Sequence, residues 1–242
     1  MTERRPVALN DPAVVRAEYA TERGLEARRA VYRYSTGPDA PGMAFDAVAE
    51  ARPARVLEVG CGPGELAARI GGELGAEVVA VDISPRMVEL ARARGVDARV
   101  GDVQALPFED ASFDCAVAAW MLYHVPDVER ALSELARVLR RGGRLVAVTN
   151  YSDHLHELRE LLGVPLRAAG AFPGEDAGAM LRRHFATVET RDASGVIRFP
   201  DRAAVVSYVE ASISLFGTGD VPEFDGPFEV RRRPVLFVAE KA

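Results

Sequence analysis

The stretch that decides the fold is VLEVGCGPGEL, residues 56–66. Val56–Val59 reads as a short apolar strand with one carboxylate, Glu58, near its end. Gly60, Gly62 and Gly64 follow at once, and Glu65–Ile70 already has helical spacing. A strand-to-helix turn this rich in glycine is costly, because glycine loses more backbone entropy on folding than any other residue. That cost is offset where the backbone passes close to a ligand. Cys61, between two of the glycines, reads as a small residue that fits a tight turn.

Outward from this turn, short apolar runs alternate with amphipathic segments. Arg55–Val59, Glu77–Val81, Ala98–Gly101, Phe113–Ala118 and Leu145–Thr149 are strand candidates, separated by helical patterns at Glu65–Leu74, Pro85–Arg94 and Val128–Leu139. Ser84-Pro85 supplies an N-cap followed by a first-turn proline, and Gly142-Gly143 ends the helix ELARVLRR. Strands alternating with helices predict an α/β, Rossmann-like parallel sheet with helices on both faces. Residues 11–52 carry no strand signal and look helical up to Ser35, where STGPDAPG breaks the pattern. Further helices are expected over 153–162, 176–184 and Asp201–Phe216, and late strands over His184–Thr190 and Pro234–Glu240. The chain thus reads as one domain over 1–242. Residues 1–52 form a helical cover, 53–150 a ligand-binding core, and 151–242 the substrate-side helices and the last strand pair.

Composition narrows the partners. The chain has 242 residues, 48% apolar and 27% charged, as in an ordinary soluble domain. Its net charge of −6 argues against a nucleic-acid partner, which needs clustered lysine and arginine. Arg137, Arg140, Arg141 and Arg144 do cluster, but they read as a solvated helix end. No run is long and apolar enough for a membrane span, and the charged start MTERRPVALND does not read as a signal peptide. Cys61 and Cys115 lack metal-ligand spacing, so a reduced, cytoplasmic setting and no metal are expected.

In an open parallel sheet, ligands bind at the carboxyl ends of the strands. The first strand ends in the glycine loop, the next (VVAVD) in Asp82, and the third in Gly101-Asp102-Val103. A carboxylate at Asp82 can accept two hydrogen bonds from a ribose diol, and Asp102 stands where an adenine amino group could be read. Dinucleotide sites use GxGxxG, whereas this loop is GxGxG with Pro63 in the variable place. S-adenosylmethionine carries no phosphate and needs no longer anion turn, and its sulfonium and ammonium suit carboxylates such as Glu58. Glu58 could equally order the loop itself.

With these residues in hand, the chain resembles the class I S-adenosylmethionine-dependent methyltransferases, with a type 11-like domain. The resemblance is carried by LEVGCGPGEL, VDISPRMVELAR, GDVQALPFEDASFD and ELARVLRRGGRL, in that order, within residues 45–150. It implies a seven-stranded sheet with the last strand antiparallel and a glycine loop under the methionine part of the cofactor. It also implies Asp82 on the ribose hydroxyls, Asp102 and Val103 beside the adenine, and further contacts from Ile83, Met87 and Ala119. MLYHVPD, TNYSDHL and GLEARRAVYRYS are similar to a bacterial subgroup, which implies that Tyr19 and Arg28 reach the cofactor from the N-terminal cover. A guanidinium at Arg28 can clamp the methionine carboxylate.

Methyl transfer from a sulfonium is an in-line displacement in which positioning and exclusion of water carry much of the catalysis. Acceptor-side residues should follow the fourth and fifth strands: Trp120, Tyr123 and His124, then Asn150, Tyr151, His154 and His156. His154 is the first candidate for a base or orienting group, against an ordinary capping histidine. His124 either takes part in catalysis or orders the turn into Val-Pro-Asp. Trp120, Tyr123, Tyr151 and Phe172 could line an apolar pocket. AAWMLYHV is no Asn/Asp-Pro-Pro-aromatic run, which disfavours amide or adenine amino acceptors. Cys115 lies inside a strand, and the acid trio of magnesium-dependent catechol-type enzymes is absent. The expectation is a metal-free enzyme that methylates an O, N or C atom of a small-molecule acceptor and releases S-adenosylhomocysteine. Its rivals are a non-catalytic protein or partner subunit that binds the same ligands, and a nicotinamide oxidoreductase. The Gly/Pro-rich insertion over 200–230 could cover a pocket, form a surface loop or make a dimer contact.

Overall fold

The computed structural model describes residues 30–165, 171–212, 216–217 and 219–242. A 3-10 turn, Val31–Tyr34, leads into β1 (Ser35–Thr36) and α1 (Ala40–Glu50). The alternating core follows: β2 (Arg55–Val59), α2 (Glu65–Leu74), β3 (Glu77–Asp82), α3 (Pro85–Ala93), β4 (Asp97–Val100), β5 (Phe113–Ala119), α4 (Val128–Val138) and β6 (Leu139–Asn150). The chain continues through α5 (His156–Leu162), α6 (Gly174–Leu181), β7 (Thr187–Asp192), β8 (Gly195–Phe199), α7 (Arg202–Glu210), β9 (Phe228–Arg232) and β10 (Pro234–Glu240).

Seven strands form one sheet in the order β4-β3-β2-β5-β6-β10-β7. β2 to β6 pair in parallel, and β10 runs antiparallel to both β6 and β7. The expected α/β sheet with an antiparallel last strand is therefore the observed one. The strand order reverses at β2, the strand that carries the glycine loop, where such sheets bind ligands.

Both faces are covered, as the unbroken apolar runs of β5 and β6 require. α1 and α2 bury Ala44, Phe45, Val48 and Ile70 against Val117, Val146 and Val148. α4 buries Ala131, Leu132, Leu135 and Val138 on the opposite face, with Ala116, Ala118 and Ala147. Val128, Ala131, Leu132 and Leu135 stand at i, i+3, i+4 and i+7, the spacing that supplies the apolar stripe. A second core joins Leu158, Val205, Tyr208 and Phe216 to Ile197, Phe199 and Val230 of a small antiparallel sheet, β1-β8-β9.

That small sheet departs from the sequence reading. Residues 31–36 form a 3-10 turn and a strand instead of helix, because Ser35 and Thr36 pair with Ile197 and Val196. Arg232 locks the arrangement from inside. It is buried, and its guanidinium donates to the carbonyls of Ala193 (2.8 Å), Pro38 (2.6 Å) and Thr36 (3.2 Å) and to the Ser35 hydroxyl. The 200–230 insertion is the excursion between β8 and β9, whose paired ends close it.

The α4–β6 junction also differs. The helix ends at Val138, and Gly142, at φ +69°, lies within an irregular stretch where β5 pairing jumps from Leu139 to Arg144. Lys241, the sole lysine, donates to the Leu139 carbonyl at 2.7 Å, a cation at a helix C-terminus. The nearby arginines are engaged with protein groups: Arg137 with Glu134 and Asp110, Arg140 with Asp114, and Arg144 with Glu50 and Glu240.

Candidate active site

The glycine loop is built from its backbone. Gly60, Gly62 and Gly64 all have positive φ, at 62°, 54° and 79°. Each is required for a different second reason. A side chain on Gly60 would stand 2.5 Å from Met121 Cβ, and one on Gly64 would stand 2.7 Å from Ala91 Cβ of α3. A Cβ on Gly62 would meet nothing within 4 Å, so this glycine faces open space. The loop hangs from β3: the Gly60 and Cys61 amides donate to the Val81 carbonyl at 2.7 and 3.3 Å. Arg94 closes the other side by donating to the Pro63 carbonyl at 3.0 Å.

Asp82 ties the loop to the next turn. Its Oδ2 accepts the Gly62 amide and its Oδ1 the Ser84 amide, each at 2.8 Å. The carboxyl is buried, which raises its pKa, while the N–H groups of Ser84, Gly62 and Ile83 act in the opposite direction. Each carboxylate oxygen retains acceptor capacity beyond these bonds. Glu58 is buried close by. Burial and the negative charges of Glu58 and Asp82 push the Cys61 thiol far up, so it stays protonated. Two neighbouring strand ends thus present a glycine cradle, open at Gly62, and two buried acids, which fits a nucleoside ligand with a cationic tail.

Other expected contacts fall differently. Asp102 caps its own turn, accepting the Gln104 amide at 2.9 Å and the Gln104 side-chain amide at 2.9 Å. Ile83 and Ala119 are half-buried at the strand ends, whereas Val103 is buried. Met87 is fully buried, at 1% exposure. Phe172 is likewise core, at 0% exposure, and lines no pocket. Tyr19 and Arg28 lie outside the described residues.

On the acceptor side, Trp120 stands at the end of β5 with φ +54°, a left-handed backbone rare for so bulky a residue. Asn150 ends β6. Tyr123 and His124 meet edge to face, ring centroids 4.5 Å apart, in the turn that leads to α4. Tyr151 is held under the Arg233 guanidinium, 4.8 Å from its centroid. Among the described residues, no group of three His, Cys, Asp or Glu stands together to hold a metal ion.

His154, expected as a base or orienting group or else as a capping histidine, is tied to the backbone. Its Nδ1 accepts the Arg233 backbone N–H at 2.8 Å, so the ring proton sits on Nε2. Burial, then the charges of Arg159 and Arg232, lower its pKa to about 3. The Nδ1 bond ties the turn after β6 to the backbone between β9 and β10. Because the folded pKa of His154 is depressed, its contribution to stability is complete above about pH 6.5 and is lost as pH falls toward 3. Urea unfolding between pH 4 and 7 should show wild-type stability falling by up to ~1.4 kcal/mol per pH unit more than that of His154→Gln. Parallel pH profiles for the two proteins would contradict the assignment.

Comparison with known proteins meets this geometry directly. A family model for the methyltransferase domain matches residues 57–147, from the glycine-loop strand through β6. What the match shows is a methyltransferase domain over that stretch of the chain. An O-methyltransferase of Penicillium expansum is 41% identical over 107 residues, covering 41% of this chain and 39% of that protein. An uncharacterized methyltransferase of Mycobacterium tuberculosis is 40% identical over 141 residues, covering 55% of this chain and 57% of that protein. The chain therefore spans about two-fifths of the first of these relatives and little more than half of the second. Among solved structures, a methyltransferase of Thermotoga maritima, described as a possible histamine N-methyltransferase, superposes with a TM-score of 0.61 at 24% identity. That likeness covers 93% of this chain and 97% of the other, and it concerns the fold.

Proposed function

We propose that this protein is a methyltransferase of the class I S-adenosylmethionine-dependent kind, which transfers a methyl group from S-adenosylmethionine to an O, N or C atom of a small-molecule acceptor, without a metal ion. The observation that carries the reading is the Gly62 cradle, open on its ligand side and held by the buried Asp82 carboxylate. When bound, the cofactor supplies an electrophilic methyl group on a sulfonium. The chain's own residues would do the rest. The glycine loop lets the backbone approach the methionine part, and Asp82 offers its remaining lone pairs to the ribose. Glu58 and Asp82 supply negative charge beside the cationic tail, and the ends of β5 and β6 orient the acceptor. Positioning of this kind is worth several orders of magnitude in rate when a good leaving group is already in place.

Residues 1–242 act as one unit in this reading, with α5, α7 and the small sheet on the acceptor side, and the enzyme is cytoplasmic. Among the described residues no helix is long and apolar enough to cross a membrane. The negative net charge supports a small-molecule acceptor over a nucleic acid. The test is acceptor-dependent release of S-adenosylhomocysteine across a panel of hydroxylated, amino and activated-carbon compounds. Turnover with any of them supports the proposal. Tight cofactor binding with no turnover on any would favour a non-catalytic ligand-binding role.

A further inference from the structure

Two buried polar atoms at adjoining strand ends have no hydrogen-bond partner among the described residues: Trp120 Nε1 and Asn150 Oδ1. β5 and β6 lie side by side here, Ala119 opposite Val148, and the Trp120 amide donates to the Val148 carbonyl at 2.9 Å. Thr149 alone separates that bond from Asn150 along β6. The two side chains also share a face. Trp120 packs against the cluster that contains Phe45 and Val148, and Asn150 follows Val146 and Val148 in strand alternation. Thr149 points the other way, donating its hydroxyl to the Phe172 carbonyl at 2.7 Å.

Buried polar groups are nearly always paired, so two orphans at one place demand an explanation. The backbone supplies a second, independent one. Trp120 is held at φ +54°, and strain of this kind collects at functional sites. The indole N–H can only donate and the amide oxygen can only accept, and at these adjoining strand ends the two remain unjoined. A ligand atom that accepts and donates at once satisfies both. A hydroxyl does so, whereas an ether oxygen only accepts and a protonated amine only donates.

We propose that Trp120 and Asn150 form the acceptor-binding subsite and that the methyl acceptor presents a hydroxyl group to them. The inference rests on the methyl-transfer reading. Trp120 is the only tryptophan, so nitrogen-15-labelled protein gives one indole N–H cross-peak, which reports directly on this atom. The full chain is first saturated with S-adenosylhomocysteine, then titrated separately with phenol, anisole, cyclohexanol, methoxycyclohexane and cyclohexylamine. The expected result is a downfield shift of the indole proton with an alcohol or phenol, bound about tenfold more tightly than its ether or the amine. Asn150→Leu should abolish that preference. Equal binding of the ethers, an unmoved indole cross-peak, or no fragment binding to the saturated protein would each overturn the subsite. So would Asn150→Leu weakening S-adenosylhomocysteine itself about tenfold, which would give the pair to the cofactor. Failure of S-adenosylhomocysteine to bind at all would remove the methyl-transfer reading, and the subsite with it.

Discussion

Asp82→Ala is expected to cost about 2–5 kcal/mol of folding stability and at least about a hundredfold in S-adenosylhomocysteine affinity. The stability loss follows from the two amides that the carboxylate accepts, Gly62 and Ser84, one on each oxygen. Removing the acceptor orphans both donors in a buried setting, at about 1–3 kcal/mol each. The affinity loss is larger than that of a single contact, because in the proposed reading the same carboxylate both orders the loop and faces the ribose. Asp82→Asn should fall between the two proteins. Its one oxygen can keep one amide, but its NH2 group must face the other donor. Urea unfolding and calorimetric titration of the three proteins separate the effects. Wild-type affinity in Asp82→Ala would remove Asp82 from the cofactor site.

The glycines give the second large effect, and they should divide. Gly60→Ala forces an L-residue into φ +62° and sets its Cβ 2.5 Å from Met121 Cβ. Left-handed strain of about 1–2 kcal/mol and overpacking of about 1–3 kcal/mol together threaten the fold. Gly62→Ala carries only the left-handed strain, about 1–2 kcal/mol, because no protein atom lies within 4 Å of the new methyl group. That methyl group instead enters the open space that the proposed cofactor would occupy. Gly62→Ala should therefore remain folded and lose cofactor affinity by more than its stability loss implies. If Gly62→Ala bound S-adenosylhomocysteine like wild type, the cradle would lie elsewhere.

The parts of this molecule legible in its sequence are those governed by local pattern. VLEV, VVAVD and FDCAVAA are apolar runs because each lies between two helical layers, and burial on both faces leaves no other composition. GCGPG was readable because positive φ admits few residues other than glycine. What the pattern could not carry was pairing between distant short segments. Ser35–Thr36 joins Val196–Ile197, which pairs in turn with Val230–Arg231, and no local period announces such a sheet. The alternation in GVIRF and FEVRR is the only trace of it, each too short to separate strand from loop. The tether on His154 is hidden in the sequence for a related reason. Its role depends on the Arg233 backbone amide and on the charges of Arg159 and Arg232, residues brought to it only by the fold. The strained Trp120 backbone and the orphaned atoms of Trp120 and Asn150 are likewise invisible before the strand ends come together.

The central claim is that the glycine loop and Asp82 bind S-adenosylmethionine. Calorimetric titration of the full chain with S-adenosylmethionine, S-adenosylhomocysteine and NADH tests it most directly. The expected result is micromolar binding of both sulfur ligands and no heat from NADH. Silence from both sulfur ligands, in folded protein freed of any carried-over ligand, would contradict it.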